Sequence, residues 1–306
     1  EVPAVIIERT PARVERGRYL ANNVVRCIGC HSKPDTKRYS LPPLAGTLGE
    51  GGQLLGDPED PFSVYAKNIT PNGIGDWSDG EILRAMTSGL DKNGDSLIPA
   101  MPYEYLRNID QEDAYSIVAY IRTLKPVGTQ FPPATWNSGF AKFLTTHLFP
   151  KPWSPVNKPA TTDKVAYGGY LAHLAECDMC HSPWDSMGHP LPDKLMSGGN
   201  WFRAHYNNDD LSKFNYVVSA NLTPDPTGLG NIDEAQFVGF FRAFDTPAAK
   251  AKKVGPNGPQ DVMPWVELSG MTDDDLKAIY AWLKSQKPIS NKVDSFPPPG
   301  ATPPAN

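Results

Sequence analysis

The chain has no apolar run of about 18 residues, the length a helix needs to cross a bilayer, so no transmembrane segment is expected. It has no basic stripe either: net charge is −5 over 306 residues, which excludes a nucleic-acid surface. It begins Glu1-Val2-Pro3 without a charged and apolar leader, which reads as a mature form whose signal peptide has been removed. Hydrophobic residues make up only 40%, low for a self-sufficient core. Cysteine is scarce, with four residues confined to two short motifs, so none is left for a bridge or thiolate elsewhere. Proline, by contrast, is abundant: 32 residues, about twice the usual share, predict long extended connections, modest helix and little strand.

The cysteines form Cys27-Ile28-Gly29-Cys30-His31 and Cys177-Asp178-Met179-Cys180-His181. Cys-x-x-Cys-His reads as a c-type haem attachment site, in which two thiols add to the haem vinyl groups and the adjacent His becomes the proximal iron ligand. A thioredoxin-like pair needs a βαβ setting, and neither motif lies in one. Two zinc knuckles or a disulfide within a pair stay open, but zinc knuckles sit in turn-rich segments and both motifs end helix-like runs. The His recurs both times, which favours two covalently bound haem c groups. A haem is also a large apolar filler, which compensates for the thin core. Covalent attachment places maturation outside the cytosol, in a bacterium the periplasm or its membrane face.

The motifs lie 150 residues apart, and the length suits about two domains. More than the motif repeats. Gly17-Arg18-Tyr19-Leu20-Ala21 is answered by Gly168-Gly169-Tyr170-Leu171-Ala172, Pro42 by Pro192, and Asn68-Ile69-Thr70-Pro71 by Asn221-Leu222-Thr223-Pro224. Glycine-rich turns follow, Gly73-Ile74-Gly75 and Gly228-Leu229-Gly230. Each half then shows a capping-box signature, at Ser78-Asp79-Gly80-Glu81 and at Asn231-Ile232-Asp233-Glu234. Closing helices are predicted from Asp110 to Leu124 and from Thr272 to Leu283, each followed by Lys-Pro. The expected order is haem helix, irregular loop, middle helix, Met-bearing loop, closing helix. Domain one is drawn at 10–128, a Pro-rich and aromatic linker at 129–160, domain two at 161–289 and a Pro-rich tail at 290–306, mobile from Phe296 onward.

The sixth ligand separates a carrier from a catalyst, and a Met thioether suits an electron-transfer haem. Met101 in Pro99-Ala100-Met101-Pro102-Tyr103 and Met263 in Val262-Met263-Pro264-Trp265 share a Met-Pro-aromatic signature before the closing helix. They are the expected partners of His31 and His181. Met86 sits in the amphipathic middle helix and reads as core. Met187, Met196 and Met271 have no counterpart in the other half. His147, His173, His189 and His205 also lack one, with His189 and His205 leaving a bis-His site open in half two. A ligand His usually donates its other N–H to a carbonyl, and Pro42 and Pro192 are expected to present it. Asn68, Trp77, Tyr103, Trp201 and Trp265 are candidates to wall a haem or bond a propionate, or else ordinary packing residues.

The run from Asn68-Ile69-Thr70-Pro71 through Gly75-Asp76-Trp77-Ser78-Asp79, with Pro99-Ala100-Met101-Pro102-Tyr103, resembles the multihaem cytochrome c subunits of membrane-bound bacterial alcohol and gluconate dehydrogenases. The resemblance covers most of both halves. It implies two tandem all-α class I cytochrome c domains with His/Met ligation. It also implies a dehydrogenase as electron donor and a quinone, cytochrome or terminal oxidase as acceptor. The chain departs from that family, which commonly has three haem domains and a C-terminal membrane anchor; Asn231-Ile232 also replaces the Asp-Trp pair.

The leading reading is thus a dihaem electron carrier or electron-transfer subunit, with no catalytic residues of its own. The alternative is a dihaem enzyme. A peroxidase wants one open iron, which the matched methionines oppose. A thiosulfate dehydrogenase would use a Cys thiolate as distal ligand, and no fifth cysteine exists.

Overall fold

The structure is a computed structural model that describes the chain except residues 57–59, 187, 206–209, 211, 256–258, 299 and 305–306, and the side chains of Leu144 and Leu148. It separates into two compact units: Glu1–Asp35 with Pro43–Lys158, and Thr36–Pro42 with Pro159–Asn306. The short segment Thr36–Pro42 therefore packs with the half to which it does not belong in sequence.

In the first unit, α1 (Pro11–Tyr19) starts where the Thr10 hydroxyl accepts from Arg13 N at 3.3 Å and Pro11 opens the first turn. It continues as a π-helical turn, Leu20–Val24, and stops at Arg26 in the left-handed conformation (φ 60°). That reversal allows the one-turn α2 (Cys27–Cys30) to carry the first motif. A hairpin of β1 (Leu54–Leu55) and β2 (Phe62–Tyr65) follows, then α3 (Pro71–Ile74), α4 (Asp79–Ser88), α5 (Tyr103–Leu106) and α6 (Gln111–Ile121). β3 (Thr135–Trp136) adds antiparallel to β2, and α7 (Gly139–Leu148) ends the unit. Helices α1 and α6 cross at Gly17, where an added Cβ would lie 1.8 Å from the Ser116 carbonyl oxygen. Leu20, Ile28, Leu83, Ile109 and Ile117 are fully buried in this unit, each worth about 1.5–3 kcal/mol.

The second unit repeats the plan. α8 (Lys164–Leu174) leads through left-handed Glu176 (φ 55°) into α9 (Cys177–His181). The hairpin is β4 (Trp201–His205) with β5 (Phe214–Val218), in register from Trp201 opposite Val218 to His205 opposite Phe214. Then come α10 (Glu234–Arg242), α11 (Pro247–Lys250), α12 (Trp265–Leu268) and α13 (Asp273–Lys284). Gly168 repeats the crossing: a Cβ there would lie 1.8 Å from the Ala278 carbonyl oxygen.

Several expectations need correction. Helix covers 36% and strand 9%, so the fold is helix-rich with some sheet rather than purely helical. Apart from β3, the strands lie in the loop after each motif, and each hairpin returns the chain toward its Asn-x-Thr-Pro run. The capping box at Ser78 and Glu81 forms, whereas in the second half the cap is Asp233 with Gln236, two residues beyond Asn231. The first closing helix ends at Ile121 rather than Leu124. The segment drawn as a linker contains β3 and α7. The tail is tied down at its start, where the Ser295 carbonyl accepts from Val218 N at 3.0 Å and the Asn291 amide donates to Ser197 O at 2.9 Å.

Candidate functional site

Each motif presents its histidine in the same way. The Nδ1 of His31 lies 2.6 Å from the Lys67 carbonyl, and the Nδ1 of His181 lies 2.8 Å from the Ala220 carbonyl. An imidazole that donates from Nδ1 keeps Nε2 as a lone-pair donor, the tautomer an iron needs. Burial pushes both rings below their ordinary pKa, against the opposing pull of those carbonyls and, for His181, of the Asp261 charge. Both are therefore neutral at neutral pH.

The carbonyls come from Lys67 and Ala220, not from the Pro42 and Pro192 expected for the task. Pro192 opens an exposed 3-10 turn, Pro192–Lys194, and Pro42 is buried in the second unit. What aims the Lys67 and Ala220 carbonyls is the residue after each. The Asn68 side-chain oxygen accepts from Thr70 N at 2.8 Å and from its hydroxyl at 2.7 Å, and the Asn68 amide donates to Val127 O at 2.7 Å and Thr129 O at 3.3 Å. Asn221 repeats the pattern with Thr223 at 2.9 and 2.8 Å and with Ile289 O at 2.8 Å. Asn68, a candidate to bond a propionate, thus has its whole amide committed to backbone and to Thr70. It ties the turn that carries the Lys67 carbonyl to the chain that leaves the closing helix.

Two further pairs escaped the sequence reading. Ser32 and Ser182 follow the histidines and are fully buried; their hydroxyls accept from Gly49 N at 3.1 Å and Met196 N at 2.9 Å. The histidine carbonyls accept from Gly51 N at 2.9 Å and Gly198 N at 2.8 Å. Both glycines have positive φ, and a Cβ would strike Ala66 O at 2.3 Å or Ala220 C at 2.5 Å. The repeated Cys-x-x-Cys-His-Ser and the repeated Gly-Gly pairs, Gly51-Gly52 and Gly198-Gly199, were the available signals.

The methionines sort by burial. Met86, Met196 and Met271 are 4%, 0% and 2% exposed and pack in the core, whereas Met101 and Met263 are part-exposed on proline-bounded turns. Those turns match: the Met101 carbonyl accepts from Tyr103 N and the Met263 carbonyl from Trp265 N, each at 2.8 Å. Met187 lies outside the described residues. Trp77 is half-buried, and Arg122 bridges its carbonyl and the Asp79 carboxylate, the latter at 2.9 Å. Trp265 donates its indole N–H to Asp261 at 2.9 Å, and Trp201 packs edge-on against Tyr216 at 5.5 Å. Tyr103 is fully buried, its hydroxyl 3.4 Å from Leu97 O. His205 rests edge-on against Phe214 at 5.6 Å, and His189 is exposed, 3.7 Å from Asp185.

Among the described residues, no group of three or more His, Cys, Asp and Glu side chains is arranged to hold a metal ion by itself. The donors each motif brings together are of another kind: two thiols and one oriented imidazole, which fit a haem attached through Cys27 and Cys30 or through Cys177 and Cys180.

No protein-family model matches the chain. Among known proteins it is similar to the cytochrome c subunit of alcohol dehydrogenase (quinone) from Gluconacetobacter polyoxogenes, 28% identical over 91% of this chain and 57% of that protein. It is 30% identical to the gluconate 2-dehydrogenase cytochrome c subunit of Pantoea cypripedii, over 90% of this chain and 59% of that protein. A diheme cytochrome c-type protein of Cereibacter sphaeroides is 24% identical over 84% of this chain and 81% of its own length. The chain spans little more than half the length of the dehydrogenase subunits it matches. It is a homologue of the cytochrome c subunits of alcohol, gluconate and fructose dehydrogenases.

Proposed function

We propose that the chain is a dihaem c-type cytochrome that passes single electrons from a periplasmic dehydrogenase to a respiratory acceptor. The observation that carries this reading is the twice-built histidine: each Cys-x-x-Cys-His places Nδ1 on a carbonyl, of Lys67 at 2.6 Å and of Ala220 at 2.8 Å. The names of the relatives, cytochrome c subunits of dehydrogenases, support the same reading. When bound, each haem supplies the reversible one-electron chemistry of its iron.

The chain's own residues do the rest. The thiols of Cys27, Cys30, Cys177 and Cys180 hold the groups covalently. His31 and His181 are the proximal ligands, kept neutral and oriented by their carbonyls. Met101 and Met263 would supply the thioether ligands, which would raise the potential and compete with small ligands for the iron. Trp77 is proposed to wall the first haem. Each unit is read as a class I cytochrome c domain, in tandem, working in the periplasm or at its membrane face. Among the described residues no helix is long and apolar enough to cross a membrane.

Haem content per chain tests the reading. Pyridine-haemochrome analysis of the protein matured in a bacterial periplasm is expected to give two haems per chain. A Cys177→Ser, Cys180→Ser variant should give one. A chain that matures with no haem, or holds zinc in its cysteines instead, overturns it.

A further inference from the structure

We propose that Ser40 is a positioning residue for Met263, locking the loop that presents the thioether to the second haem. The proposal rests on the ligand reading above. Ser40 lies in the segment Thr36–Pro42, which packs in the second unit. Its hydroxyl donates to the Met263 carbonyl at 2.5 Å and accepts from Trp265 N at 2.9 Å, so one side chain staples the backbone on both sides of Pro264.

Ser40 is itself held. Its N–H donates to the Gln260 side-chain oxygen at 2.9 Å, and the Gln260 amide donates to Arg38 O at 3.0 Å. Tyr39 N donates to Lys252 O at 3.0 Å and Val254 N to Lys37 O at 2.9 Å, a short bridge that fixes the strap. The Tyr39 hydroxyl reaches Asp261 at 3.1 Å, the carboxylate that also takes the Trp265 indole N–H at 2.9 Å and Met263 N at 3.0 Å. Tyr39, Phe244 and Trp265 stack in sequence at 5.9 and 4.9 Å.

The backbone shows that this arrangement is imposed. Ser40 and Leu41 both have positive φ, 67° and 50°, which L-residues adopt only when their surroundings dictate it. The matching Met101 turn is closed by its own backbone, Met101 N to Ile98 O at 3.0 Å and Tyr103 N to Met101 O at 2.8 Å. The two turns share the bond to the Met carbonyl, but that of Met263 takes Met263 N on the Asp261 carboxylate and carries a hydroxyl staple from a segment remote in sequence. The staple makes Met263 the harder ligand to displace.

The test uses the full-length holoprotein, with carbon monoxide titrated into the ferrous state and the Met-to-ferric-iron charge-transfer band followed in the oxidised state. Met263→Ala is expected to open one haem to carbon monoxide and so mark its spectrum. Ser40→Ala should raise the carbon monoxide affinity of that same haem roughly tenfold, the cost of two lost hydrogen bonds, and weaken its charge-transfer band, with the other haem unmoved. Gln260→Ala should act in the same direction, and carries the test should Ser40→Ala fail to mature. If Met263→Ala opens a haem but both other variants keep wild-type affinity there, the positioning role is wrong while the ligand stands. Equal changes at both haems would also overturn it, as a general loss of stability. If Met263→Ala opens nothing, the ligand reading itself falls, and the proposal with it.

Discussion

Gly17 faces the Ser116 carbonyl so closely that a methyl group on it would lie 1.8 Å from the oxygen. Gly168 faces Ala278 in the same way. These crossings set the haem helix against the closing helix, and they explain why a glycine stands before each Tyr-Leu-Ala. Gly17→Ala and Gly168→Ala should each destabilise the holoprotein by about 3 kcal/mol, at the top of the overpacking range because the facing atoms are backbone. Gly239, in α10, has nothing within 4 Å of its added Cβ. Gly239→Ala should therefore stabilise by about 0.5–1 kcal/mol. Urea unfolding followed by circular dichroism compares them, and equal effects at all three positions would contradict the crossing.

Asn68 and Asn221 hold the carbonyl-bearing turns from behind. Replacing either by Ala takes the acceptor from the partner threonine N–H, at about 1–3 kcal/mol for that unmet group, and leaves the Val127 or Ile289 carbonyl only the threonine hydroxyl, at 3.2 or 3.1 Å. The expected result is lower stability together with a changed proximal histidine environment in that half only, read from the hyperfine-shifted proton NMR signals of the ligand histidine in the oxidised state. Lower stability with an unchanged histidine signal would make these residues purely structural.

Asp113 is buried between Arg16 at 2.9 Å and Lys158 at 2.8 Å. Burial opposes its ionisation, but the hydrogen bonds and charges of Arg16 and Lys158 outweigh burial and hold the carboxyl below its ordinary range. A carboxyl depressed on folding contributes its full stability above its unfolded value of about 3.9 and loses it as pH falls through the lower folded value. The chain should thus lose stability on acidification below about pH 4. Asp113→Asn should cost about 3 kcal/mol at neutral pH and flatten that acid limb. Denaturant midpoints measured from pH 3 to 7 check both, and an acid limb unchanged in the variant would contradict the assignment.

The methionines divide by burial, and so should their variants. Met101→His and Met263→His should each lower the potential of one haem, since a thioether favours the reduced iron. Met86→Leu, a volume-conserving core exchange, should leave both potentials in place. Spectroelectrochemical titration decides, and an unmoved pair of potentials in Met101→His would remove Met101 from the iron.

Much of this was legible in the sequence because the chain carries its plan twice. The motifs, the glycines before Tyr-Leu-Ala and the two Met-Pro-aromatic turns are local residue patterns that duplication separates from chance, and the Ser78 and Thr272 caps are read from their own helices. What was hidden is carried by backbone or by distant packing. The partners of His31 and His181 are main-chain carbonyls of Lys67 and Ala220, positions where side-chain identity differs freely between the halves. The hairpins Leu54–Tyr65 and Trp201–Val218 lie in loops whose glycines read as irregular chain. The Asp233 cap sits two residues past the first acceptable capping residue, Asn231, and only the helix register tells them apart. The pairing of Ser40 with Met263 spans 223 residues, beyond any local pattern.

The most direct measurement is of the optical and EPR spectra of the wild-type protein in both redox states, with and without carbon monoxide. Two low-spin His/Met haems that carbon monoxide occupies only at concentrations far above those that saturate a five-coordinate haem are the expected result. A high-spin haem, or one that binds carbon monoxide as tightly as a five-coordinate haem, would break the proposed ligation in one half and put the enzyme reading ahead of the carrier.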